Sequence, residues 1–425
     1  MENVKFSPDQ QEAKNKIGEF LTDLEQREYI LTGSPGMGKS FLTNYIHQMA
    51  VGRSMKCILS ATTNKATAVI RDFSGTDAYT IHKVLNLRVH VDYVKNQTSL
   101  VSTNGDKFLD QYLFLDKLLI IDEASMIDAA LKEKIDETLD KYPRLKILYV
   151  GDKNQVPPVN SENMPVFSSN IPRSELTTCH RQKEGSTIIP TATALKKIIS
   201  DSEFRINRLA ASNDIILLDK QEFLGQMEAH FKAAVLLNDP NHVKALAYTN
   251  NTVNEFNKLI RQYFYTGKHY QEGEILVANK AYIPNEDVML NNEEFAKVVS
   301  DEFEVYEELD CRKLTLTKLG SEKQFTAYTT NQVGKKAQIR KQLIAEKRYN
   351  RLRTFMESFI DVRPVYSSTI HKAQGSTFGN VFLHLEDLGK CPNYYDIPRL
   401  VYVALTRAQN NVFVYGELPD YMYHY

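Results

Sequence analysis

Several residue types that mark particular protein classes are scarce or missing in this chain. It contains no tryptophan, and its four cysteines, Cys57, Cys179, Cys311 and Cys391, form no CxxC pair. That spacing argues against a zinc site or a disulfide framework and is typical of a reducing compartment. No apolar run approaches membrane-spanning length, and the N-terminal MENVKFSPDQQ lacks the apolar region of a signal peptide. We therefore expect a soluble, cytoplasmic protein with no membrane contact.

A strong net charge is also missing. Lysine and arginine number 52 and aspartate and glutamate 53, which leaves a formal charge of −1 and a pI near 6.8. Because no global basic field draws the protein to nucleic acid, any such binding must come from local grooves through phosphate contacts. The length of 425 residues, with 42% hydrophobic and 25% charged residues, is typical of a globular protein with several domains.

Short apolar runs alternate with helical patterns along much of the chain. This alternation predicts an α/β fold, in which helices cover both faces of a parallel sheet. We expect two such lobes, at residues 1–185 and 186–425. The runs are YILT at 29–32, CILSA at 57–61, LLIID at 118–122, ILYVGD at 147–152, VKALAY at 243–248, VFLHL at 381–385 and NVFVYG at 411–416.

Two stretches depart from that rhythm. Residues 86–113, with VHVDYV and a polar NQTS turn, predict a β-hairpin inserted in the first lobe. Residues 270–362 begin with a strand pair typical of a small β-barrel and end in a helix rich in lysine and arginine. The second lobe is then 186–269 together with 363–425. The basic run at 335–353 is either a solvated helical face or a surface that tracks a nucleic acid strand.

The segment GSPGMGKS at 33–40 predicts a nucleotide site. Its glycines allow a strand to turn sharply into a helix, so that backbone N–H groups face a phosphate. Lys39 should reach the β- and γ-phosphates of ATP, and the Ser40 hydroxyl should bind Mg²⁺. The residues that surround the phosphates are Gly33, Ser34, Pro35, Gly36, Met37, Gly38, Lys39 and Ser40.

The segment IIDEAS supplies an acidic pair after a buried strand. Asp122 is expected to hold the hydrated Mg²⁺, and Glu123 to orient or deprotonate the attacking water. The alternative for such a pair is a helix cap, but the fully apolar run before it favours catalysis.

Hydrolysis also needs cationic and polar groups near the transferred phosphoryl group. Arg181 in LTTCHRQ and Arg407 in VALTRAQ each end an apolar segment, where a lobe could present them across a cleft. Gln155, just after VGDKN, is a candidate γ-phosphate sensor. The alternatives are a solvated surface arginine and a loop amide that bonds to backbone.

Taken in order, these segments resemble the motifs of the superfamily 1 helicases over nearly the whole chain. The set is GSPGMGKS, IIDEAS, VGDKNQVPPV, the Arg181 segment, STIHKAQGST and LVYVALTRAQ. The chain is similar in particular to the RecD-like, 5′→3′ subgroup and to the phage Dda-type helicases within it. FSPDQQEA, SATTNKAT, YTIHKVL and AYTNNTVNEFNKLI carry this closer likeness.

The resemblance implies two RecA-like P-loop lobes with parallel sheets, a pin hairpin in the first and a small β-barrel in the second. It implies that Gln10 recognises adenine, that Arg181 and Arg407 are arginine fingers, and that Gln374 and Gly375 couple ATP to the strand. It further implies contacts to the strand backbone from both lobes. These are Thr63, Asn64, Lys65 and His82 in the first lobe, and Thr369, His371 and Lys372 in the second.

Two features depart from the family pattern. Thr62 stands where relatives usually carry proline, which leaves the geometry of that loop open. The hairpin at 86–113 does not match the family's strand-separating pin closely in sequence. Tyr93 is either the wedge that stacks on the last base pair or a cross-strand packing residue.

We expect an enzyme that uses ATP and Mg²⁺ to move 5′→3′ along single-stranded DNA and unwind duplex DNA at junctions. The alternatives are an RNA helicase of the same fold and a nucleotide-driven ATPase that remodels proteins. We further expect a monomer whose partners are replication or recombination proteins, in the host cytoplasm if the chain is phage-encoded.

Overall fold

The computed structural model describes residues 5–95, 97–102, 108–158, 161, 163–178, 186–236, 241–284 and 288–424. The chain divides into two compact units. The first comprises Met1–Arg88, Ser102–Val253 and Ser368–Tyr425, and the second comprises Val89–Val101 and Asn254–Ser367. Within the described ranges, no helix has both the length and the apolar character needed to cross a membrane.

The first lobe is built on a six-stranded sheet in the order β3-β2-β6-β7-β1-β8, whose paired strands run parallel. Its elements in chain order are α1 (Pro8–Thr22), β1 (Glu28–Gly33), α2 (Lys39–Gly52), β2 (Lys56–Ala61), α3 (Asn64–Ser74), β3 (Ala78–Thr80), α4 (Ile81–Val84), β4 (Leu87–Asp92), β5 (Gln97–Ser102), β6 (Lys117–Asp122), α5 (Ala129–Lys141), β7 (Leu145–Gly151) and β8 (Arg173–Leu176). Strands β4 and β5 pair with each other as a two-stranded sheet within 86–113.

The inner strands of this sheet are buried on both faces. Strands β1, β2 and β6 are each buried at five of six positions. Continuous burial of this kind is typical of parallel strands that are covered by helices on both sides. The prediction of an α/β fold with parallel strands at these apolar runs is confirmed.

The second lobe begins with α6 (Ile188–Ser200), β9 (Ile215–Leu218), α7 (Lys220–Leu236), β10 (Val243–Ala247) and α8 (Asn250–Arg261). A five-stranded antiparallel sheet in the order β14-β13-β12-β11-β15 follows in the second unit. Its elements are β11 (Ile275–Ala278), β12 (Phe295–Tyr306), β13 (Leu309–Lys318), β14 (Gln324–Thr329), α9 (Val333–Ala345), α10 (Tyr349–Glu357) and β15 (Val362–Pro364).

One detail of the second unit differs from the sequence prediction. The basic segment forms two helices rather than one, because the chain breaks at Lys347, whose φ of 55° is left-handed. The longer segment of the unit starts at Asn254, within α8, and the predicted bounds of 186–269 and 270–362 stay a prediction. Arg261 at the end of α8 bonds Glu274 at 2.7 Å in a buried ion pair.

The chain then completes the second lobe with β16 (Ser367–Thr369), β17 (Phe378–His384), α11 (Leu385–Leu388), α12 (Ile397–Thr406) and β18 (Ala408–Tyr415). These strands join β9 and β10 in a five-stranded sheet of order β16-β10-β17-β18-β9. Helix α12 is deeply buried, with Leu400, Val401, Tyr402, Val403, Ala404 and Leu405 all at 0% exposure.

Candidate nucleotide and nucleic-acid site

The loop between β1 and α2 has the backbone shape that GSPGMGKS predicts. Gly36 and Gly38 take φ angles of 84° and 80°, which glycine adopts without steric cost. Gly33 packs so closely on Leu176 that an added Cβ would meet that side chain at 3.1 Å. The turn leads into the N-terminus of α2, where the first N–H groups of the helix favour an anion such as a phosphate.

The side chain of Lys39 folds back over this loop. Its Nζ donates to the carbonyl oxygen of Gly33 at 2.7 Å and to that of Ser34 at 3.2 Å. Both acceptors are neutral, so a phosphate in the loop would compete for the ammonium with a stronger, charge-assisted bond. Ser40 follows as an exposed residue in the first turn of α2.

Asp122 ends β6 and Glu123 follows it, at the same edge of the sheet as the phosphate loop, because β1 and β6 belong to one parallel sheet. Oδ1 of Asp122 accepts a bond from the Glu123 backbone N–H at 2.8 Å. Burial and the Glu123 carboxylate raise the pKa of Asp122, while the charge of nearby Lys39 opposes that rise. The three charged groups therefore lie close together.

Glu123 shows two signs of a functional carboxylate. Its backbone is left-handed, with a φ of 53°, a conformation that costs free energy for a residue other than glycine. Its Oε2 is buried and has no hydrogen-bond partner among the described residues. A buried carboxylate oxygen without a partner is rare in folded proteins and indicates a ligand, an ion or a water.

The KAQGST segment of the second lobe meets Glu123 of this acidic pair. Gly375 has a φ of 69°, and a Cβ built on it would stand 3.4 Å from Oε1 of Glu123. Gln374 is buried and donates from Nε2 to the carbonyl oxygen of Val156 at 2.9 Å. The segment thus contacts both Glu123 and the loop that follows β7.

Helix α12 contacts the same loop through two polar side chains. The Tyr402 hydroxyl donates to Oδ2 of Asp152 at 2.6 Å, and both residues are fully buried. Arg399 donates from Nη1 to the carbonyl oxygens of Lys153 at 2.9 Å and Gln155 at 3.0 Å. The sequence patterns did not point to Asp152, Arg399 or Tyr402, although all three lie in or beside the quoted motifs.

The candidate phosphate sensor lies next to the acidic segment. Gln155 is 2% exposed, and its Oε1 accepts a bond from the Ser125 hydroxyl at 3.3 Å. Ser125 comes two residues after Glu123 in IIDEAS. The amide of Gln155 is thereby fixed beside the candidate catalytic carboxylates, and its role as a sensor stays a prediction.

Arg407 is held by its own lobe. It is 3% exposed, and its guanidinium donates to the carbonyl oxygens of Val403 at 3.2 Å and Ser376 at 3.1 Å. A third bond reaches the Thr406 hydroxyl at 3.2 Å. These hydrogen bonds of Arg407 could not be predicted from the sequence, because they depend on how α12 packs against the KAQGST segment.

One cavity nevertheless joins the neighbourhood of Arg407 to the phosphate loop. Its lining includes Thr406 and Ala408, the residues on either side of Arg407, together with part of α6. From the first lobe it is lined by Ser34, Pro35 and Met37. The structure thus brings the phosphate loop and the end of α12 to a shared space.

Gln10 also lies beside the phosphate loop. It is 3% exposed, its Oε1 accepts a bond from the Ser7 N–H at 3.2 Å, and its Nε2 donates to the carbonyl oxygen of Met37 at 3.4 Å. This position agrees with a residue near the base of a bound nucleotide, and the contact to adenine stays a prediction. Arg181, the other candidate arginine finger, lies outside the described residues.

The candidate strand contacts of the first lobe follow β2 and β3. The Thr63 hydroxyl caps α3, accepting a bond from the Ala66 N–H at 3.1 Å, and Asn64 begins that helix. The Lys65 ammonium lies 5.2 Å from the centre of the Phe378 ring. Burial lowers the pKa of His82, so its ring is neutral near pH 7.

Thr62, the residue before this group, stands where the family pattern predicts proline. Thr62 has a buried hydroxyl that finds no hydrogen-bond partner within the described part of the chain. A proline has no such group to satisfy, so the substitution leaves a polar atom that a bound strand or water could engage.

Their counterparts in the second lobe lie at the end of β16 and in the turn after it. The Thr369 hydroxyl accepts a bond from the Lys372 N–H at 3.4 Å, and Thr369 is 8% exposed. The His371 ring lies 6.0 Å from that of Tyr248, and burial lowers its pKa. In both lobes a threonine hydroxyl thus accepts a backbone hydrogen bond from the residues that come after a strand.

The hairpin turn is held within the second unit. Arg340 of α9 donates to the carbonyl oxygens of Tyr93 at 2.9 Å and Val94 at 2.8 Å. The Tyr93 side chain packs on an apolar cluster that includes Leu343 and Phe355. These contacts favour a packing role for Tyr93, and its role as a wedge stays a prediction.

Comparison with known proteins agrees with this arrangement. Residues 19–161 match the family model of an AAA domain, and residues 364–415 match that of a UvrD-like helicase C-terminal domain. The chain is 23% identical to the ATP-dependent DNA helicase Dda of Enterobacteria phage T4, over 94% of this chain and 97% of that protein. It is 27% identical to the ATP-dependent RecD2 DNA helicase of Deinococcus radiodurans, over 40% of this chain and 22% of that protein.

Solved structures share the fold over the full length. A Pif1 helicase from Bacteroides, in complex with ADP-AlF3 and single-stranded DNA, has a TM-score of 0.54 and 14% identity, covering 100% of this chain and 95% of that one. The Pif1 helicase from Candida albicans has a TM-score of 0.53 and 16% identity, covering 99% and 98%. The ordered motifs, the two family models and the Dda and RecD2 relatives make the chain similar to the superfamily 1 helicases, and the Pif1 structures share its fold of two RecA-like lobes.

Proposed function

We propose that this chain is an ATP-dependent DNA helicase that moves 5′→3′ along single-stranded DNA and unwinds duplex DNA. One observation carries the proposal, namely the cavity that the phosphate loop shares with Thr406 and Ala408 of the second lobe. A nucleotide bound at the phosphate loop would lie beside the end of α12, so its hydrolysis would change the contacts between the two lobes. The likeness to a named ATP-dependent DNA helicase over nearly the whole chain supports the same activity.

ATP binding begins at the phosphate loop. The Lys39 ammonium exchanges its bonds to the Gly33 and Ser34 carbonyls for the β- and γ-phosphates. The loop N–H groups and the N-terminus of α2 bind the remaining phosphate oxygens. Gln10, beside Met37, contacts the adenine.

The acidic pair and the Ser40 hydroxyl fit a magnesium ion. Mg²⁺ prefers oxygen ligands and shares them with phosphates, and Ser40 and Asp122 would hold it here. A bound Mg²⁺ would neutralise negative charge on the phosphates of ATP. Glu123, whose Oε2 is buried without a partner in the described chain, orients the attacking water and accepts its proton.

Arginine fingers complete the site. Arg407 exchanges the carbonyls of Val403 and Ser376 for the γ-phosphate when the lobes close, and Arg181 supplies the second positive charge. An arginine in this role is worth about 10³–10⁵ in rate. Gln155 senses the γ-phosphate from its place beside Ser125.

The strand lies across both lobes. Residues 63–65 and His82 hold it on one side, and Thr369, His371 and Lys372 on the other, mainly through its phosphates. Alternate closing and opening of the lobes draws the strand along, and the hairpin at 86–113 splits the duplex at a junction. We propose that the protein acts as a monomer and works with replication or recombination proteins.

The test is the rate of ATP hydrolysis by the wild-type chain with single-stranded DNA, with RNA and with no nucleic acid. We expect stimulation by DNA, and loss of hydrolysis and unwinding in Lys39→Ala with strand binding retained. Lys16→Ala is a matched control, because Lys16 is an exposed lysine that pairs with Glu12 on α1. Equal stimulation by RNA would favour an RNA helicase, and no stimulation would favour a protein-remodelling ATPase.

A further inference from the structure

The hydroxyl of Tyr402 joins helix α12 to the loop that follows β7, because it donates to Oδ2 of Asp152 at 2.6 Å. Tyr402 also lines one cavity together with Ser34 of the phosphate loop. Tyr402 and Asp152 are both at 0% exposure, and Ser34 is at 6%. A buried bond between a phenol and a carboxylate is charge-assisted and stronger than a neutral one.

Asp152 is itself firmly placed. Its Oδ1 accepts bonds from the Asn154 backbone N–H at 2.9 Å and from the Asn154 side-chain amide at 3.1 Å. Oδ2 is therefore the oxygen that meets Tyr402. Asp152 begins the loop that carries Gln155, so the position of Tyr402 is tied to the position of the candidate sensor.

Tyr402 and Arg407 lie on one short helix and its cap. Five positions separate them, which is about one and a half helical turns. One turn before Tyr402, Arg399 bonds to the carbonyls of Lys153 and Gln155. Helix α12 is thus fixed to the first lobe at its centre, while Arg407 stands at its end.

We propose that Tyr402 is a positioning residue of the ATPase cycle, whose hydroxyl holds the Arg407 helix and the Gln155 loop in register with the phosphate loop. This inference rests on the proposed function and names a residue that controls its rate. When the hydroxyl is absent, the Asp152 carboxylate stays buried with one donor fewer, and α12 loses its central contact to the first lobe. Arg407 then reaches the γ-phosphate from a less defined position.

Burial and the Asp152 carboxylate raise the pKa of Tyr402 well above its ordinary value. The hydroxyl is therefore protonated, and able to donate, throughout the pH range in which the enzyme would work.

The test is Tyr402→Phe in the full chain, with kcat and KM for ATP measured at saturating single-stranded DNA. Because the ring remains to fill the core, we expect kcat to fall about tenfold while KM changes less than about twofold. Asp152→Asn should lower kcat as well. The double variant should be no slower than the slower single variant, since both substitutions act on one bond.

Tyr149→Phe is the matched control. Tyr149 is also fully buried, and its hydroxyl donates to Oε1 of Glu28 at 2.7 Å, at the start of β1 and away from the phosphate loop. We expect both variants to lower the thermal midpoint and only Tyr402→Phe to lower kcat. A kcat that is unchanged in Tyr402→Phe, or reduced equally in both, overturns the role of Tyr402. A wild-type chain without DNA-stimulated hydrolysis overturns the proposed function itself.

Discussion

Gly375 of the second lobe lies against the carboxylate of Glu123 in the first, so closely that an added Cβ would stand 3.4 Å from Oε1. The glycine takes a left-handed φ of 69°, and Glu123 one of 53°. Any movement of the KAQGST segment therefore acts directly on the carboxylate that we propose activates water. Through this contact the second lobe can change the position of Glu123 directly, without acting through a bound nucleotide.

Replacing Gly375 with alanine is expected to slow ATP hydrolysis at least about tenfold. The left-handed backbone strains the new residue by about 1 kcal/mol, and its methyl group presses on Glu123. Binding of single-stranded DNA, measured by fluorescence anisotropy, should change little. Gly320→Ala is the control, because its φ is 79° but its Cβ would meet nothing within 4 Å. Hydrolysis by Gly375→Ala at the rate of Gly320→Ala would contradict the contact.

Replacing Arg407 with lysine is expected to lower single-turnover hydrolysis of ATP by about 10³ or more, with ATP affinity reduced much less. Lysine keeps the charge but cannot present two N–H groups in the plane of the guanidinium. The measurement is quenched-flow hydrolysis beside nucleotide binding. Arg53→Lys serves as control, since Arg53 is exposed and bonds the Gly18 carbonyl on the first lobe. A similar loss of single-turnover hydrolysis in Arg407→Lys and Arg53→Lys would contradict a role for Arg407 at the γ-phosphate.

Lys65→Gln is expected to weaken the binding of single-stranded DNA at low salt and to flatten its salt dependence. Each phosphate contact contributes about 0.7 to the slope of log K against log salt for a single strand. The net charge of −1 makes this local contribution easier to resolve, because no diffuse basic field adds to it. Lys16→Gln should leave the slope unchanged, and an unchanged slope in Lys65→Gln would exclude a phosphate contact.

Arg340→Ala is expected to slow duplex unwinding while leaving DNA-stimulated ATP hydrolysis near the wild-type rate. Arg340 donates two hydrogen bonds to the hairpin turn, at Tyr93 and Val94, and each contributes about 0.5–1.5 kcal/mol to holding it. The comparison is strand displacement against hydrolysis on the same substrate. Lys341→Ala, an exposed neighbour on the same helix, is the control. If Arg340→Ala lost strand displacement and ATP hydrolysis equally, the two hydrogen bonds of Arg340 would support the fold as a whole and not the hairpin in particular.

Acidification from pH 7.5 to 5.5 is expected to lower the thermal midpoint. Burial lowers the pKa of four histidines below the ordinary value of 6.5, namely His47, His82, His230 and His371. Below pH 6.5 the unfolded chain binds these protons before the folded chain does, so stability falls as pH falls through this window. His230→Leu should flatten the dependence, because it removes one such group. A thermal midpoint of unfolding that stays constant between pH 7.5 and 5.5 would contradict the lowered pKa values of these histidines.

The local part of this site was predictable from the sequence. Strand, glycine-rich turn and helix around Lys39 occupy consecutive residues, and Asp122 follows an apolar run that could only be a buried strand. Short-range patterns of this kind fix the backbone because the turn geometry demands glycine. The acidic pair and the phosphate loop then meet because parallel strands present their carboxyl ends at one edge.

Contacts between distant segments could not be predicted in the same way. Tyr402 and Asp152 are 250 positions apart, and neither stands out in an apolar helix or a polar loop. The hydrogen bonds from Arg407 to the carbonyl oxygens of Val403 and Ser376 likewise depend on packing that only the folded chain defines. The same is true of the second unit, whose longer segment starts at Asn254. Sequence patterns predicted the segments that form the site, whereas the residues that connect these segments are set by tertiary contacts.

Whether ATP hydrolysis drives movement in the 5′→3′ direction is decided by the unwinding of a partial duplex that carries either a 5′ or a 3′ single-stranded tail, with ATP and Mg²⁺ present. We predict strand displacement from the 5′-tailed substrate by the wild-type chain, little from the 3′-tailed substrate, and none from either by Lys39→Ala. Displacement by Lys39→Ala at the wild-type rate would contradict the claim that a nucleotide held between the two lobes drives the movement.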